Sequence, residues 1–424
     1  MKRLHLPSAV KARFRRIADI KRRQGWFIDN LTPRKAANML LAASEYALKR
    51  ETMRAWPVVV KVDISPVCNL RCTICVHSRA GETSTDGLKD QSFKADQKMA
   101  LAQFERIVDE VAGKTSSISM YYLGDPLVHP ELDAMCRYTT SKGLNSHIST
   151  NFSFDLSDER IDSIVQSGMT HLTVCVDGLS QEKYQKTRVG GRINVVLDNL
   201  ERTIRRRNEL GRTFPKVEVQ YIKFQHNVDE LEAATRRFWK IGVDQVTDYW
   251  GGMFNYTDLI AGKHFKVHGP RKNKMLPQCL WPHFSLLIKF NGDVIPCCNY
   301  RHTPQYGASG TPEEQRIVGN VLETSVWEVW NSEEYKALRR FASNPEKVAS
   351  EKGLASTFCD GCPALFDTDY NSVYRRAEDH KWEDHFELDE RKRVRRKVSS
   401  EPVDISAGDA PMVQLQRRVR EPVG

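Results

Sequence analysis

Between residues 58 and 251, short apolar runs alternate with longer segments in which apolar residues recur at helical spacing. Such alternation predicts parallel strands joined by helical crossovers. Six strand–helix units favour an α/β fold built as a partial (β/α)6 barrel, with a doubly wound sheet as the alternative. The predicted strands are 58–64, 118–123, 146–150, 172–176, 217–222 and 245–249, and the predicted helices are 101–111, 130–142, 158–167, 181–186, 193–210 and 228–241.

The pattern changes on both sides of this region. Thr32 and Pro33 predict the start of a helix that continues over 36–49, with Leu40, Leu41, Ala47 and Leu48 docking it on the barrel. After residue 252 the alternation ends, and an Asn-Gly turn at 291–292 between apolar runs predicts a hairpin. The predicted domains are a basic helical extension (1–56), the barrel (57–252), a small C-terminal domain (253–378) and a charged, disordered tail (379–424).

The composition indicates where in the cell the protein functions and argues against some classes of function. The chain has 424 residues and is 40% hydrophobic, which suffices for a sizeable core. No run approaches the roughly 18 apolar residues of a membrane helix, and no signal core follows the basic N-terminus, so we expect a cytoplasmic protein. The net charge of +10 is concentrated in 1–23 and 390–397. Such terminal runs are usually solvated, and nucleic-acid binding is not expected.

The clustered cysteines are the first candidates for functional residues. Clustered cysteines in a reducing cytosol indicate metal ligands or catalytic thiols rather than disulfides. The first cluster, Cys68-x3-Cys72-x2-Cys75, places three thiolates on one loop after the first predicted strand. Three thiolates suit an iron–sulfur cluster with one exposed iron, or a zinc ion with His77 as the fourth ligand.

A second set comprises Cys279, Cys297 and the pair Cys359-x2-Cys362. Four thiolates from a hairpin and a distant Cys-x2-Cys can enclose a metal centre with no open position, either zinc or iron–sulfur. Spacing alone favours zinc. Cys298 could replace Cys297 as a ligand or remain a free thiol near the site.

Polar residues follow the next three predicted strands, at the edge where α/β proteins collect their chemistry. Gly124-Asp125-Pro126 combines a glycine that permits close backbone approach with a carboxylate that can receive an ammonium group. Ser149, Asn151 and Asp177 offer groups suited to ribose hydroxyls. Helix capping would account for the same residue types.

Taken in order, these motifs resemble the radical S-adenosylmethionine (SAM) superfamily, and the C-terminal pattern resembles its SPASM/twitch extension. Supporting signals include Asn291-Gly-Asp-Val-Ile-Pro-Cys297 and Val326-Trp-Glu-Val-Trp330. The resemblance covers roughly residues 55–366. Two departures are Ile74, where an aromatic residue is usual, and Asp125, where many members have glutamate.

The resemblance implies a role for each motif. Cys68, Cys72 and Cys75 would hold a 4Fe-4S cluster whose exposed iron binds SAM. The four C-terminal cysteines Cys279, Cys297, Cys359 and Cys362 are too few for two clusters and imply one auxiliary 4Fe-4S cluster. The implied SAM contacts are Gly124, Asp125 and Pro126 at the methionyl amine, Ser149, Asn151 and Asp177 near the ribose, and Arg188 at the methionyl carboxylate.

The implied reaction begins with cleavage of SAM to a 5'-deoxyadenosyl radical, which abstracts a hydrogen atom from a small polar substrate. A single auxiliary cluster resembles aminocyclitol- or sugar-modifying members such as 2-deoxy-scyllo-inosamine dehydrogenase, so we expect oxidation of such a metabolite with that cluster as electron acceptor. A reducing partner such as flavodoxin or ferredoxin would supply the first electron.

Two alternatives stay open: a radical SAM epimerase with a thiol as hydrogen donor, and a maturase of a ribosomal peptide. Cys298, Cys175 and His77 are the candidate catalytic residues, and the base is not assigned. Candidates for the substrate pocket are His77, Tyr221, Lys223, Asp248, Tyr249 and Trp250.

Overall fold

The computed structural model describes residues 28–72, 75, 95–224, 226–250, 275–298, 317–345, 358–359 and 365, and two short strands near the C-terminus. The predicted strand–helix alternation is confirmed, and most bounds agree within three residues. The helices are α1 Pro33–Ala47, α2 Leu101–Val111, α3 Leu132–Ser141, α4 Asp158–Gln166, α5 Gln181–Thr187, α6 Ile193–Glu209, α7 Leu231–Ile241, α8 Trp281–Phe284, α9 Val326–Trp330 and α10 Glu333–Ser343. The strands are β1 Val59–Val62, β2 Ser117–Ser119, β3 Asn145–Thr150, β4 His171–Cys175, β5 Lys216–Lys223, β6 Gln245–Trp250, β7 Ser285–Ile288, β8 Asp293–Ile295, β9 Gly319–Asn320, β10 Phe386–Leu388 and β11 Val394–Arg396.

Nine strands form one sheet in the order β6-β5-β4-β3-β2-β1-β7-β8-β9. Strands β1 to β6 are parallel and adjacent in sequence order. A doubly wound sheet reverses its order at a switch point, and this sheet has no such reversal within β1–β6. The arrangement is therefore that of the partial barrel, and β7 extends it by pairing in parallel with β1.

The two faces of the sheet differ in chemistry. Along β5, residues 217, 219, 221 and 223 are buried, whereas 216, 218, 220 and 222 are partly accessible. Val217 and Val219 join the hydrophobic core, together with Leu231, Ala234 and Phe238 of α7. Because strand side chains alternate, the helix-covered face is apolar and the opposite, concave face carries the polar residues.

Helix α1 begins as predicted, with the Thr32 hydroxyl accepting a hydrogen bond from Lys35 N at 3.4 Å. Its docking face was predicted correctly only at Leu41, which packs partly buried against the core, whereas Leu40 is 72% and Leu48 66% exposed. The helix instead buries Ala42, Glu45 and Tyr46. The Glu45 carboxylate accepts backbone N–H groups of the 54–55 segment, and the Tyr46 hydroxyl donates to the Pro277 carbonyl at 2.9 Å.

Beyond the barrel, the predicted hairpin is present as β7 and β8, which pair antiparallel. The tail expected to be disordered is not irregular throughout, because β10 and β11 form a two-stranded antiparallel sheet. Phe386, Leu388 and Val394 alternate there with charged residues, a pattern typical of strands. Among helices in the described part of the chain, none has both the length and the apolar character to cross a bilayer.

Candidate active site

The first cysteine loop follows β1 at the carboxyl edge of the sheet. Cys72 is buried, Cys68 and Cys75 are partly exposed, and Cys75 N donates to the Cys72 carbonyl at 2.9 Å. Asn69 stabilises the loop by donating from Nδ2 to the Ser153 carbonyl at 2.8 Å and accepting from Asn151 Nδ2 at 2.8 Å. Asn151 Nδ2 also lies 3.8 Å from Cys68 Sγ. Asn151 therefore supports the loop that carries the thiols.

Gly124, in the Gly124-Asp125-Pro126 motif that follows β2, packs against the segment that leads into this loop. A Cβ atom at residue 124 would lie 2.2 Å from the Ser65 carbonyl oxygen and 2.3 Å from that of Val67. The next amide, Asp125 N, donates to the Val67 carbonyl at 2.9 Å. Only glycine permits this approach, so the motif is packed directly against the segment leading into Cys68.

Asp125 joins the ends of β2 and β3. The carboxylate is buried and accepts hydrogen bonds from the Thr150 hydroxyl at 2.8 and 2.9 Å, Asn151 N at 2.8 Å and Leu127 N at 3.0 Å. Burial raises the pKa of Asp125 to about 6, although these donors act to lower it. The side chain thus has an internal structural role beside the predicted SAM contacts, and Pro126 begins a 3-10 turn immediately after it.

Phe152 follows in a backbone conformation that non-glycine residues seldom adopt, with φ of 58°. Its N–H donates to the Thr150 hydroxyl at 3.0 Å, and its carbonyl accepts from Asn199 Nδ2 at 3.0 Å. Strained backbone of this kind persists only where surrounding contacts enforce it. Thr150 is therefore central to the loop that contains Asn151.

Asp177 and Arg188 form a buried ion pair next to the cysteine loop. Arg188 Nε lies 2.6 Å from Asp177 Oδ2, and Asp177 Oδ1 accepts Ile222 N at 2.9 Å. Burial raises the pKa of the Cys72 thiol to about 11, and the Arg188 guanidinium acts in the opposite direction. The pair therefore borders Cys72. Asp177, which we expected near a ribose, is engaged in positioning Arg188.

Ser149 and Cys175 lie at the strand ends of the concave face. Ser149 Oγ is 3.5 Å from Cys175 Sγ, and the Tyr249 hydroxyl donates to Gln220 Oε1 at 3.3 Å. The Tyr249 side chain remains 44% exposed. Residues from β3, β4, β5 and β6 thus border one concave space.

Other pocket candidates lie elsewhere. Tyr221 is fully buried beneath the helices and donates to the Asn227 carbonyl at 2.7 Å, so it is not available to a substrate. Lys223 is buried on the same side of β5 and pairs with Asp248 at 2.5 Å. In the sequence, Val217, Val219 and Tyr221 alternate with polar residues. This alternation could have placed Tyr221 on the helix-covered side of β5. His77 and the side chain of Trp250 lie outside the described residues.

The second cysteine set lies in the part of the chain that follows the barrel. Cys279, Cys297, Cys298 and Cys359 are partly exposed, and Cys362 lies outside the described residues. Burial raises the pKa of Tyr335, with Cys297 and Cys359 adding to the increase, so both thiols lie near one buried ring. The Tyr122 hydroxyl, two residues before Gly124, contacts the Cys298 carbonyl at 3.5 Å.

The three thiols of the first loop suit an iron–sulfur cluster, whose cysteines each bind a different iron. His77 and Cys362, which would complete the alternative zinc sites, lie outside the described residues. Burial raises the pKa of Cys68 to about 12, so positive iron would be needed to ionise this thiol.

Comparison with known families agrees with this geometry. Residues 62–214 match the Radical SAM superfamily, and residues 279–363 match SPASM, an iron-sulfur cluster-binding domain. The chain carries a radical SAM domain and a SPASM domain. The first match includes Cys68 to Arg188, and the second begins at Cys279 and includes Cys362. The expected cofactors are confirmed at this level: a 4Fe-4S cluster and SAM in the radical SAM domain, and auxiliary iron–sulfur in the SPASM domain.

Individual relatives are distant. The "tungsten-containing aldehyde ferredoxin oxidoreductase cofactor-modifying protein" of Pyrococcus furiosus is 24% identical over 67% of this chain and 83% of its own length. SuiB of Streptococcus suis bound to S-adenosylmethionine shares the fold, with a TM-score of 0.53 and 16% identity over 84% of this chain and 87% of that one. BtrN in complex with AdoMet and 2-DOIA reaches a TM-score of 0.39 and 16% identity over 69% and 89%. The narrower resemblance to aminocyclitol-modifying members stays a proposal.

Sequence reasoning missed several supporting residues around the radical SAM site. Asn69 lies inside the cysteine motif, and Thr150 lies between Ser149 and Asn151, so both residues belong to motifs that the sequence had already indicated. Their roles depend on partners 82 and 25 residues away in the chain. Because the carboxyl ends of parallel strands lie at one edge of a sheet, the loops that follow β1, β2 and β3 could have been expected to contact one another.

Proposed function

We propose that this radical SAM enzyme oxidises a small polar metabolite, such as a sugar or aminocyclitol, at a carbon that bears a hydroxyl group. The observation that supports it is the polar concave face of the barrel. Ser119, His147, Thr173, Glu218 and Gln220 carry hydrogen-bonding groups on successive strands of that face. A hydroxylated substrate could exchange hydrogen bonds with such a polar surface, as ligands do with the few placed polar groups of small-molecule sites.

When bound, the first cluster and SAM supply a 5'-deoxyadenosyl radical at the strand ends. A substrate carbon would give up a hydrogen atom there and its hydroxyl proton to a base, and an auxiliary cluster would supply the acceptor for the remaining electron, so that a ketone is left. The external reductant would supply the one electron that cleavage of SAM consumes. Cys68, Cys72 and Cys75 would hold the first cluster, and Cys279, Cys297, Cys359 and Cys362 a single auxiliary cluster.

The connection between the two cysteine sets supports an electron acceptor near the substrate. Strand β7 pairs with β1 over four residues, immediately before the first cysteine loop. Tyr122 then contacts the Cys298 backbone from the loop that leads into Gly124. The first cysteine loop and the hairpin that leads to Cys297 and Cys298 are thereby connected through β1 and β7.

Cys175 supports a second candidate, epimerisation. Its partly exposed thiol lies at the end of β4 on the concave face, 3.5 Å from the Ser149 hydroxyl. A thiol in that place could return a hydrogen atom to the opposite face of a substrate carbon. The net change would then be inversion rather than oxidation.

Anaerobic turnover distinguishes the two reactions. Reconstituted protein would be assayed with SAM, dithionite and a panel of sugars and aminocyclitols in D2O. Oxidation predicts ketone and 5'-deoxyadenosine in equal amounts, with activity retained in Cys175→Ala. Epimerisation predicts solvent deuterium in the product and loss of product in Cys175→Ala. The matched control Cys136→Ala, which changes a buried residue of α3, should retain product formation.

The iron content gives an independent check. Two four-iron clusters predict about eight irons per chain. Stoichiometric zinc without 5'-deoxyadenosine would contradict the proposal completely. If 5'-deoxyadenosine formed only with peptide substrates, oxidation of a small metabolite would be excluded and peptide maturation would replace it.

A further inference from the structure

Arg339 of α10 is a fully buried cation in the SPASM domain that the reaction proposed above does not use. Its guanidinium donates three hydrogen bonds to backbone carbonyls, from Nε to Pro282 at 2.9 Å, from Nη1 to Glu51 at 2.7 Å and from Nη2 to Trp330 at 2.6 Å. The guanidinium carbon also lies 4.4 Å from the Trp330 ring centroid and 5.1 Å from that of Tyr335. These carbonyls and rings hold the cation in place without carrying a compensating negative charge.

Among the described residues, no carboxylate lies within ion-pair distance of Arg339. Burial lowers the pKa of Arg339 to about 9, and Tyr335 and Glu45 act in the opposite direction. The Glu45 carboxylate is itself buried and accepts the backbone N–H groups of residues 54 and 55 at 3.0 to 3.1 Å. Arg339 is therefore charged at neutral pH, and one carboxylate beyond contact distance balances it only in part.

Helix α10 binds the chain on both sides of Cys279, the first thiol of the second set. Before Cys279, Gln278 N donates to the Ala342 carbonyl of α10 at 2.6 Å. After Cys279, the Pro282 carbonyl accepts the bond from Arg339. Both contacts involve backbone groups of the Cys279 segment and therefore fix its main chain. Arg339 thus lies against the short helix α8, which follows this predicted cluster ligand.

Tyr335 links Arg339 to two further predicted ligands. Its ring is fully buried, and burial raises its pKa; Arg339 acts against this increase, and the Cys297 and Cys359 thiols add to it. Its hydroxyl lies 3.5 Å from the carbonyl of Ser285, which begins the hairpin that leads to Cys297. Both thiols also pack, partly buried, against the core that contains Tyr335. One buried ring is thus within electrostatic range of the cation and of both thiols.

We propose that Arg339 raises the reduction potential of the auxiliary cluster. The predicted ligands of that cluster are Cys279, Cys297, Cys359 and Cys362. A 4Fe-4S cluster with four thiolates is anionic and gains another negative charge on reduction, so a neighbouring buried cation favours the reduced form. Buried charges are screened far less than exposed ones. The inference rests on the proposed function only where it takes this cluster as the electron acceptor, which a higher potential would favour.

Redox titration of the auxiliary cluster in the full-length chain tests this role. Cys68→Ala, Cys72→Ala and Cys75→Ala would be combined so that only the C-terminal cysteines can hold a cluster, and its reduction would be followed by electron paramagnetic resonance. In this chain, Arg339→Gln removes the charge and keeps two N–H donors for the carbonyls. A unit charge about 10 Å away at an effective dielectric constant of about 20 changes an equilibrium by roughly tenfold. We therefore expect the ratio of reduced to oxidised cluster at a fixed potential to fall about tenfold, which is about 59 mV for a one-electron couple.

Two further variants separate the charge from the packing. Arg339→Lys retains the charge and should retain the potential. Arg340→Gln is the matched control and should leave the potential unchanged, because Arg340 is the next residue of α10 but pairs with Glu51 at 2.6 Å in a partly exposed position. An unchanged potential in Arg339→Gln, or an equal fall in Arg339→Gln and Arg339→Lys, would overturn the proposal.

The iron content shows whether each variant still holds its cluster, which requires about four irons per chain. If Arg339→Gln binds fewer, Glu45→Gln tests the same electrostatics with the opposite sign. Removing that carboxylate leaves the Arg339 charge without its partial balance and should raise the potential. A potential that does not rise in Glu45→Gln would then overturn the proposal.

This outcome is separable from that of the proposed function. If the potential falls in Arg339→Gln but the unsubstituted protein forms no ketone from any metabolite, Arg339 sets the potential and the oxidation is wrong. If ketone forms while the potential does not depend on Arg339, the oxidation stands and the role of Arg339 is wrong.

Discussion

Replacing Thr150 with valine should reveal how the predicted SAM-binding edge is held together. The change keeps the shape of the side chain and removes one hydroxyl. That hydroxyl donates to the Asp125 carboxylate at 2.8 Å and accepts from Phe152 N at 3.0 Å. Losing a bond to a charged acceptor costs roughly 1.5–3 kcal/mol, and a buried N–H without a partner costs roughly 1–3 kcal/mol. We expect the free energy of unfolding to fall by about 3–5 kcal/mol.

The loss should grow with pH. Burial raises the pKa of Asp125 from 3.8 to about 6, with the Thr150 hydroxyl acting to lower it. Because the folded pKa exceeds the unfolded one, the contribution of Asp125 to stability is full below pH 3.8 and is lost as the pH rises through 6. Without Thr150 the folded pKa rises further, so the variant loses more over this window. The penalty should be larger at pH 7.5 than at pH 5.

Urea unfolding followed by circular dichroism at the two pH values measures both effects. Thr139→Val is the matched control, because Thr139 is fully buried and its hydroxyl donates to the Met135 carbonyl at 2.8 Å within α3. Its loss should be about 1 kcal/mol and independent of pH. Equal losses in the two variants, or a Thr150→Val penalty that shrinks from pH 5 to pH 7.5, would refute the central role of the Asp125–Thr150 contact.

Three further changes test the surrounding site. Gly124→Ala should destabilise by more than about 3 kcal/mol because backbone must move, whereas Gly143→Ala, with open space around its Cβ and a φ of 72°, should cost about 1 kcal/mol by thermal unfolding. Cys297→Ala should lower the iron content from about eight to about four per chain, and Cys298→Ala should leave it unchanged; the reverse result would exchange their roles. Arg188→Met should cost about 3–5 kcal/mol in urea unfolding because its buried carboxylate partner is left unpaired; a loss below 1 kcal/mol would contradict that pairing.

The sequence predicted best what depends on nearby residues. The strand–helix alternation rests on local periodicity, and six strands appear close to their predicted positions. The Asn-Gly turn between β7 and β8 likewise follows from adjacent residues, since Gly292 adopts a φ of 87° that favours glycine. The same locality explains why the cysteine loop could be identified before its surroundings were known.

What the sequence could not predict depends on which groups meet in space. Asp177 was expected to face a ribose, but its oxygens accept from Arg188 and from the backbone of β5. The ribose contact of Asp177 stays a prediction. Leu40 was expected to be buried, yet α1 turns Glu45 toward the backbone of 54–55 and Tyr46 toward Pro277 instead. The error over Leu40 assigned a residue by its type, whereas its burial depends on which side of the helix faces the neighbouring segments.

The position of β1 explains how the first cysteine loop is connected to the strands that lead to Cys297. A strand at the edge of a sheet is paired on one side only, but β1 lies between β2 and β7 and is paired in parallel on both sides. The first cysteine loop leaves this strand next to Gly124, which follows β2, and β7 leads through its hairpin to Cys297. Moving either loop relative to the other would require breaking the backbone ladder of β1. The fold thereby fixes the first cysteine loop relative to the hairpin that leads to Cys297, an arrangement that the proposed transfer of an electron to an auxiliary cluster would use.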